Sequence, residues 1–135
     1  MLYLSGIYAL NLNCALDTCG DWHQSSLRWD NLFLQESKSA FFADYGIEQN
    51  KNIPCHNELF NVANHIRALL DLIIQGNFGL AQGMNNDFIC NDNYTMEIFN
   101  KILLMQKLPH WGDIDIFMGR EYHGEWLDFK IARNI

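Results

Sequence analysis

The pattern of hydrophobic and polar positions is most regular over residues 57–76. Apolar side chains recur there every three or four residues and polar ones fall mostly on the opposite side, which is typical of an amphipathic α-helix. Asn57 is predicted to cap this helix and Gly76 to end it, and Arg67 and Asp71 are predicted to pair one turn apart. The apolar positions are Leu59, Val62, Ala63, Ile66, Leu69, Leu70 and Ile73. We expect the rest of the chain to cover this apolar face.

The part of the chain before this helix shows the short apolar runs of β-strands. Residues 2–12, 31–36 and 40–45 predict strands separated by polar turns. A short helix is predicted over residues 22–29. Residues 46–54 are mostly polar and predict an exposed connection. The N-terminal part is therefore expected to supply a small antiparallel sheet.

Helices are predicted for most of the chain after the organising helix. A loop rich in glycine and asparagine covers residues 76–91, and it is long enough to contain a short helix near Leu80. A further helix is predicted over Tyr94–Leu108, and a last helical segment begins at Asp113. The sequence thus predicts one α+β domain over residues 1–135, a small antiparallel sheet from the N-terminal part with three or four helices packed on one side.

Composition and charge narrow the functional classes. Hydrophobic residues make up 49% of the chain and charged residues 19%, which is typical of a folded protein with its own core. Nine basic residues against sixteen acidic ones leave a net charge of −7, and the basic residues are not clustered. We therefore expect no direct binding to nucleic acid, which requires several basic side chains on one face. The acidity indicates a basic partner protein, or else it serves only solubility.

The cysteines and the N-terminus bear on the compartment. A chain with this much core does not need disulfides, so Cys14, Cys19, Cys55 and Cys90 are expected to be reduced. Residues 2–12 lack the preceding basic residue and the cleavage site of a signal peptide. No apolar run approaches the ~18 residues of a membrane helix, so no membrane partner is expected. The sequence predicts a cytoplasmic protein.

Five residues have side chains that suit zinc but not the spacing of a zinc site. They are Cys14, Cys19, His23, Cys55 and His56. The separation of Cys14 and Cys19 is wider than that of the usual zinc knuckle. Cys14 and Cys55 are interpreted instead as small buried hydrophobic residues. The sequence therefore predicts no metal and no cofactor.

Candidate catalytic residues are few. Cys19 and His23 have side chains of the types that serve as a nucleophile and its base. Asp21, which lies between them in the sequence, supplies a carboxylate. His65 lies on the flank of the organising helix and becomes a candidate if it faces a groove. These four residues define the alternative function, a small hydrolase or transferase with or without a metal ion. The same side chains also suit structural roles in capping, packing or hydrogen bonding.

The loop over residues 76–91 has the composition of an adaptable binding surface. Its glycines allow movement, its amides offer neutral hydrogen bonds and its apolar side chains offer contact area. The residues predicted to bind a partner are Asn77, Phe78, Gln82, Met84, Asn85 and Asn86. The apolar positions of the Tyr94–Leu108 helix cover more than one face, so that helix is a second candidate surface, suited to a homodimer.

Three stretches of the chain resemble small uncharacterised bacterial proteins of toxin–antitoxin or phage-defence loci. They are Cys19–His23, Val62–Asp71 and Gly76–Phe88, and the resemblance extends over nearly the whole chain. It implies an antitoxin or another inhibitor-like partner protein, and it carries no catalytic motif with it. Together with the acidity, it makes a protein–protein interaction module for a basic partner, such as a toxin or a nuclease, the first expectation for the function.

Overall fold

The structure is a computed structural model that describes residues 1–21 and 27–135. The described residues contain six α-helices and two antiparallel sheets of two strands each. The α+β class predicted from the sequence is thereby confirmed. The helix predicted over residues 22–29 falls mostly outside the described residues, and its last three residues, 27–29, are not helical.

The elements follow one another along the chain with short connections. The strands are β1 (Leu2–Tyr3), β2 (Gln35–Glu36), β3 (Ile47–Lys51) and β4 (Phe60–Ala63). The α-helices are α1 (Gly6–Leu10), α2 (His65–Ile74), α3 (Phe78–Ala81), α4 (Thr95–Leu103), α5 (Trp111–Tyr122) and α6 (Gly124–Ala132). A π-helical segment spans Met84–Ile89. None of the helices in the described ranges has the length and apolarity needed to cross a membrane.

The organising helix is shorter than predicted. It is α2, which begins after Asn64, and the Asn64 side chain caps it by accepting a hydrogen bond from the Arg67 N–H at 2.8 Å. The predicted cap at Asn57 is wrong, because residues 60–63 are extended and pair with β3 as strand β4. The predicted end is confirmed, since Gly76 follows α2 in the left-handed conformation with φ of 78°.

Helix α2 is buried on nearly every side. All its residues from His65 to Ile73 are buried, including the charged Arg67 (0% exposed) and Asp71 (5%). The polar side of the helix is thus covered almost as completely as the apolar side, which an amphipathic pattern does not predict. The predicted ion pair is confirmed, with Arg67 Nε 2.9 Å from Asp71 Oδ1.

The strand predicted at the start of residues 2–12 is confirmed as β1, whereas the rest of that stretch contains the helix α1 instead of a strand. β1 pairs with β2 in antiparallel register, with Tyr3 opposite Gln35. Leu4 bridges to Val62 of β4, which joins the two sheets. The chain then turns into α1, which packs against α2. A helix of five residues is too short to display a helical period, so its pattern resembles that of a strand.

The two predictions for residues 40–54 are both wrong. Residues 40–46 form turns rather than a strand, and Arg67 holds them by donating hydrogen bonds to the carbonyl oxygens of Ala43 and Tyr45 at 2.8 and 2.5 Å. The polar stretch predicted as an exposed connection contains β3, which pairs with β4. Polar residues suit β3 because its side chains are only partly buried or exposed.

The C-terminal helices pack around an aromatic cluster. The ring of Phe99 on α4 lies 4.9 Å from that of Tyr122 on α5 and 5.1 Å from that of Trp126 on α6. Such edge-to-face ring pairs stabilise a core beyond their buried area. The short helix predicted near Leu80 is confirmed as α3. The last predicted segment is two helices, α5 and α6, separated by His123.

Candidate functional site

The polar side of α2 faces a buried hydrogen-bond network. Arg67 Nη2 donates to the Tyr3 hydroxyl at 2.9 Å, and the Tyr3 and Ser5 hydroxyls each donate to Asp71 Oδ2 at 2.7 Å. Burial, together with the hydrogen bond to Asp71, raises the pKa of Tyr3 to about 12. The network joins the N-terminal strand to α2, and its opposite charges pair with each other. We therefore assign this network a structural role rather than a catalytic one.

His65, the first residue of α2, makes hydrogen bonds with both ring nitrogens. Its Nδ1 lies 2.6 Å from Thr18 Oγ1, and its Nε2 lies 2.6 Å from the carbonyl oxygen of Leu12. A carbonyl oxygen can only accept, so Nε2 carries a hydrogen in this arrangement. The ring orientation is therefore fixed from both sides, by two residues of one N-terminal loop.

The Cys14 thiol lies beside this histidine. Its sulfur is 3.7 Å from Thr18 Oγ1, which in turn lies 2.6 Å from His65 Nδ1. Burial alone would raise the pKa of the Cys14 thiol, but the neighbouring His65 and the backbone at Leu16 outweigh burial and lower it. Burial alone would lower the pKa of His65, but the neighbouring Cys14 thiol and the hydrogen bond to the Leu12 carbonyl oxygen raise it. Cys14 and His65 are thus neighbouring side chains of the types that serve as a nucleophile and its base, with pKa values shifted toward each other.

Two charged residues of β3 fix the loop that carries Cys14. Glu48 Oε2 accepts a hydrogen bond from the backbone N–H of Ala15 at 2.7 Å. Lys51 Nζ donates to Glu48 Oε1 at 2.9 Å and to the carbonyl oxygen of Asn13 at 3.2 Å. The strand that the sequence pattern did not predict therefore positions the thiol.

The structure separates two of the predicted catalytic residues. His65 meets a cysteine, but this cysteine is Cys14 and not Cys19. Cys14 is partly buried rather than the fully buried hydrophobic residue expected from the sequence. Cys19 is exposed and lies beside Cys90. Sequence reasoning missed the Cys14–His65 pair because no local spacing links a loop residue to a helix start so far along the chain.

The two remaining catalytic candidates flank the boundary of the described residues. Asp21 is 6% exposed, and its backbone N–H donates to the carbonyl oxygen of Leu10 at 2.8 Å. This contact fixes the end of the loop against α1. His23 lies outside the described residues, so the proposed Cys19–His23 pair is not described.

The residues considered as zinc ligands that the structure describes do not gather into a site. Among residues 1–21 and 27–135, no three His, Cys, Asp or Glu side chains come together in a group that could hold a metal ion. Cys55 is exposed, so its interpretation as a buried hydrophobic residue is wrong. His56 Nε2 lies 2.6 Å from the carbonyl oxygen of Trp29, so this nitrogen already has a hydrogen-bond partner.

An open groove of 630 Å³ lies beside the C-terminal end of α2, between α3 and α5. We call it the α3–α5 groove. Its apolar lining is Ile74, Phe78, Ile116 and Phe117, and its polar lining includes His110, Asp113 and Arg120. Ile116 is 55% exposed. The groove therefore presents apolar surface to solvent between charged residues, as binding clefts do.

A polar extension continues this groove along the loop that follows α3. Phe78, Phe117 and Arg120 also line a smaller pocket of 310 Å³ that contains Gln82 and Glu121. Arg120, Gln82 and Glu121 line in turn a pocket of 450 Å³, together with Asn86 and Asp87. The three spaces share Arg120, so that one surface runs from an apolar end to an end bearing carboxylates.

Three of the six residues predicted to bind a partner line this surface. They are Phe78, Gln82 and Asn86. Asn77 is exposed nearby and donates from Nδ2 to Gln75 Oε1 at 3.3 Å. The loop predicted from composition to bind is therefore one wall of the α3–α5 groove.

The other two predicted binding residues have structural roles. Met84 is fully buried in the core and offers nothing to a partner. Asn85 is held by Glu121: its Nδ2 donates to the Glu121 carbonyl oxygen at 3.3 Å and its backbone N–H to Oε1 at 3.4 Å. Composition cannot distinguish them from their neighbours, because the π-helical turn alone decides which side chains point inward.

Sequence reasoning missed the opposite wall of the groove, which α5 supplies. The buried residues of α5 include Ile114, Phe117 and Met118, spaced as one helical face. Ile116 is apolar but falls outside this face, and it is exposed. An apolar residue out of phase with the buried face was the available signal for a contact surface.

The helix considered for a homodimer uses most of its apolar residues internally. The predicted Tyr94–Leu108 helix is α4 followed by turns, and it is shorter at both ends. Its inner side buries Ile98, Phe99, Ile102 and Met105. Its exposed large hydrophobic residues are Met96 and Leu104. A homodimer through this helix stays a prediction with two apolar side chains to support it.

Known proteins offer no guide to this surface. A scan of protein-family models, a search of curated proteins and a search of solved structures each found no match to this chain.

Proposed function

We propose that this protein is a cytoplasmic protein–protein interaction module that binds a basic partner in the α3–α5 groove. The observation that carries the proposal is the exposure of Ile116 at the edge of a 630 Å³ groove whose lining includes Ile74, Phe78 and Phe117. Apolar side chains left open to water in a cleft gain free energy when a partner covers them.

Charge supports a basic partner. The chain carries a net charge of −7, and Asp113, Asp87 and Glu121 line the groove and its extension. Among the described residues that line them, Arg120 is the one Lys or Arg. A negative surface speeds the encounter with a positive protein and selects its orientation. The partner's apolar side chains would fill the groove at Ile116, and its basic side chains would meet the carboxylates of the extension.

An antitoxin or inhibitor-like role in bacteria is the form of this function that we favour. The resemblance to proteins of toxin–antitoxin and phage-defence loci supports it, and so does the acidity, since such a protein neutralises a basic toxin or nuclease by covering it. A groove with one apolar and one acidic end suits a short segment of the partner that carries both kinds of side chain.

A selection from a displayed peptide library tests the specificity of the groove. Peptides that bind the full chain at low salt should combine basic with apolar residues, and raised salt should weaken their binding because it screens the charges. Ile116→Asp should abolish binding. Leu104→Asp is the matched control, since Leu104 is similarly exposed at 59% and lies outside the groove. Equal loss in both variants, or peptides without basic residues, would contradict the proposal.

A second candidate function is a small hydrolase or acyltransferase, and the Cys14–His65 pair favours it. The Cys14 thiolate would attack an ester carbonyl, and His65 would protonate the departing alkoxide. Water would then release the acyl group from sulfur. Thr18 links the two residues, since its Oγ1 lies 3.7 Å from Cys14 Sγ and 2.6 Å from His65 Nδ1.

An activated ester such as p-nitrophenyl acetate tests this second function. Wild-type protein and Cys55→Ser should release nitrophenol at the same rate, and Cys14→Ser should not exceed the rate without protein. His65→Gln should slow release while an unchanged melting temperature shows that the fold is kept. If Cys14→Ser keeps the wild-type rate, the thiol has no catalytic role.

A further inference from the structure

Cys19 and Cys90 bring two thiols together at the surface. The Cys90 thiol lies beside that of Cys19, where the N–H of Gly20 meets the carbonyl oxygen of Phe88 at 2.8 Å, and both cysteines are exposed. Two neighbouring accessible thiols form the elementary unit of a reversible disulfide. Neither cysteine lines the α3–α5 groove or its extension, and the inference does not depend on the function proposed above.

The backbone holds the two cysteines in place. The N–H of Gly20, next to Cys19, donates to the carbonyl oxygen of Phe88 at 2.8 Å. The N–H of Cys90 donates to the carbonyl oxygen of Asn85 at 3.0 Å, which closes the π-helical segment. These bonds fix the loop that ends at Gly20 against the segment that ends at Cys90, so the two cysteines stay neighbours at the surface.

We propose that Cys19 and Cys90 are a redox site that exchanges with low-molecular-weight disulfides such as oxidised glutathione. The Cys19 thiolate attacks one sulfur of the disulfide and releases one thiolate, which leaves Cys19 in a mixed disulfide. Cys90 then loses its proton and attacks the Cys19 sulfur, and the second thiolate leaves. The two cysteines are oxidised to one disulfide, and the small disulfide is reduced to two thiols.

The surroundings of Cys90 assign the order of these steps. The Cys90 thiol donates a hydrogen bond to the carbonyl oxygen of Asn86 at 3.1 Å. Burial raises the pKa of Cys90 to about 11, with Cys19 and the negative charge of Asp87 acting in the same direction. Both the carbonyl oxygen that accepts the Cys90 hydrogen and the nearby negative charge disfavour ionisation of Cys90, so Cys19 is the attacking residue.

The bond would join two segments that lie next to functional candidates. Its first end belongs to the loop that contains Cys14 and Thr18, which contact His65. Its second end directly follows Met84–Ile89, the segment that carries Asn86. The Cys19–Cys90 disulfide would close a loop of about 70 residues in the unfolded chain. A disulfide that closes a loop of this length raises the melting temperature by several degrees, because it restricts the unfolded chain.

Equilibration with mixtures of reduced and oxidised glutathione tests the proposal. After an acid quench, alkylation and peptide mass spectrometry report the state of each cysteine in the full chain. We expect a Cys19–Cys90 disulfide, which the intact mass reports as the loss of two hydrogens. At the same ratios of reduced to oxidised glutathione, Cys55 should remain a thiol or carry a glutathione adduct. The melting temperature should rise in parallel.

Two variants separate the steps, and Cys55→Ser is their matched control. Cys90→Ser should accumulate the glutathione adduct at Cys19, because nothing resolves it. In Cys19→Ser the remaining Cys90 should form its glutathione adduct slowly. We expect this rate to be about tenfold lower than the rate at which Cys19 forms its adduct in Cys90→Ser. Separate glutathione adducts on both cysteines of the wild-type chain, or a disulfide between Cys14 and Cys19, would overturn the proposal.

Discussion

Arg67 and Asp71 form a buried ion pair, with Nε 2.9 Å from Oδ1 on successive turns of α2. The same guanidinium donates to the carbonyl oxygens of Ala43 and Tyr45, and the same carboxylate accepts from Tyr3. One residue pair thus connects the organising helix to the N-terminal strand and to the turns before β3. Because both side chains are buried and hydrogen-bonded to these segments, the pair specifies how the segments meet.

Asp71→Asn tests this role. The substitution removes the negative charge and leaves the Arg67 guanidinium buried without its partner, so we expect a loss of at least about 3 kcal/mol in the free energy of unfolding. Urea denaturation monitored by circular dichroism measures it. Asp128→Asn, at an exposed position of α6, is the control and should change stability by less than about 0.5 kcal/mol. A small effect at Asp71 would show that the ion pair does not hold the fold.

Gly46 and Gly76 provide a second test of the packing on α2. Both adopt the left-handed conformation, with φ of 71° and 78°. A Cβ at Gly46 would lie 2.8 Å from the Cβ of Arg67, whereas a Cβ at Gly76 would meet nothing within 4 Å. Gly76→Ala should therefore cost only the backbone strain of about 1–2 kcal/mol.

Gly46→Ala should cost about 2 kcal/mol more, because the backbone must also move away from α2. Thermal or urea unfolding of the two alanine variants side by side gives the comparison. Equal losses of stability would mean that Gly46 is needed only for its backbone conformation and that the turn does not pack closely on Arg67.

The reactivity of Cys14 should depend on pH in a defined direction. Because its pKa is lowered from the ordinary value of 9.0, the alkylation rate at Cys14 should reach half its maximum below pH 9.0. His65→Gln should move this midpoint upward, since the imidazole that favours the thiolate is gone. Iodoacetamide labelling resolved by peptide mass spectrometry measures each cysteine separately. A midpoint at or above 9.0 in the wild-type protein would contradict the described pair.

The features that sequence reasoning predicted correctly depend on local signals. The end of α2 follows from Gly76, and the pairing of Arg67 with Asp71 follows from their spacing on a helix. The short helix near Leu80 follows from the length of its loop. Each of these signals lies within a few residues of the feature that it predicts, so one sequence suffices.

The features that were missed depend on contacts between distant segments. Residues 60–63 fit the apolar pattern of the helix, but pairing with β3 makes them a strand. The approach of Cys14 to His65 depends on how one loop lies across the start of α2, which no spacing encodes. Composition predicted a binding surface at the loop that carries Phe78, and this stays a prediction, whereas the groove wall at Ile116 depends on how α5 packs.

The measurement that tests the central claim most directly is native mass spectrometry of the protein isolated from its own host at low salt. Wild-type protein and Leu104→Asp should carry the same basic partner in a fixed stoichiometry, and Ile116→Asp should appear without it. Raised salt should release the partner, because its positive charge is part of what holds it. A bare monomer in all three samples, or a complex that Ile116→Asp retains unchanged, would contradict the assignment of the α3–α5 groove as the binding site.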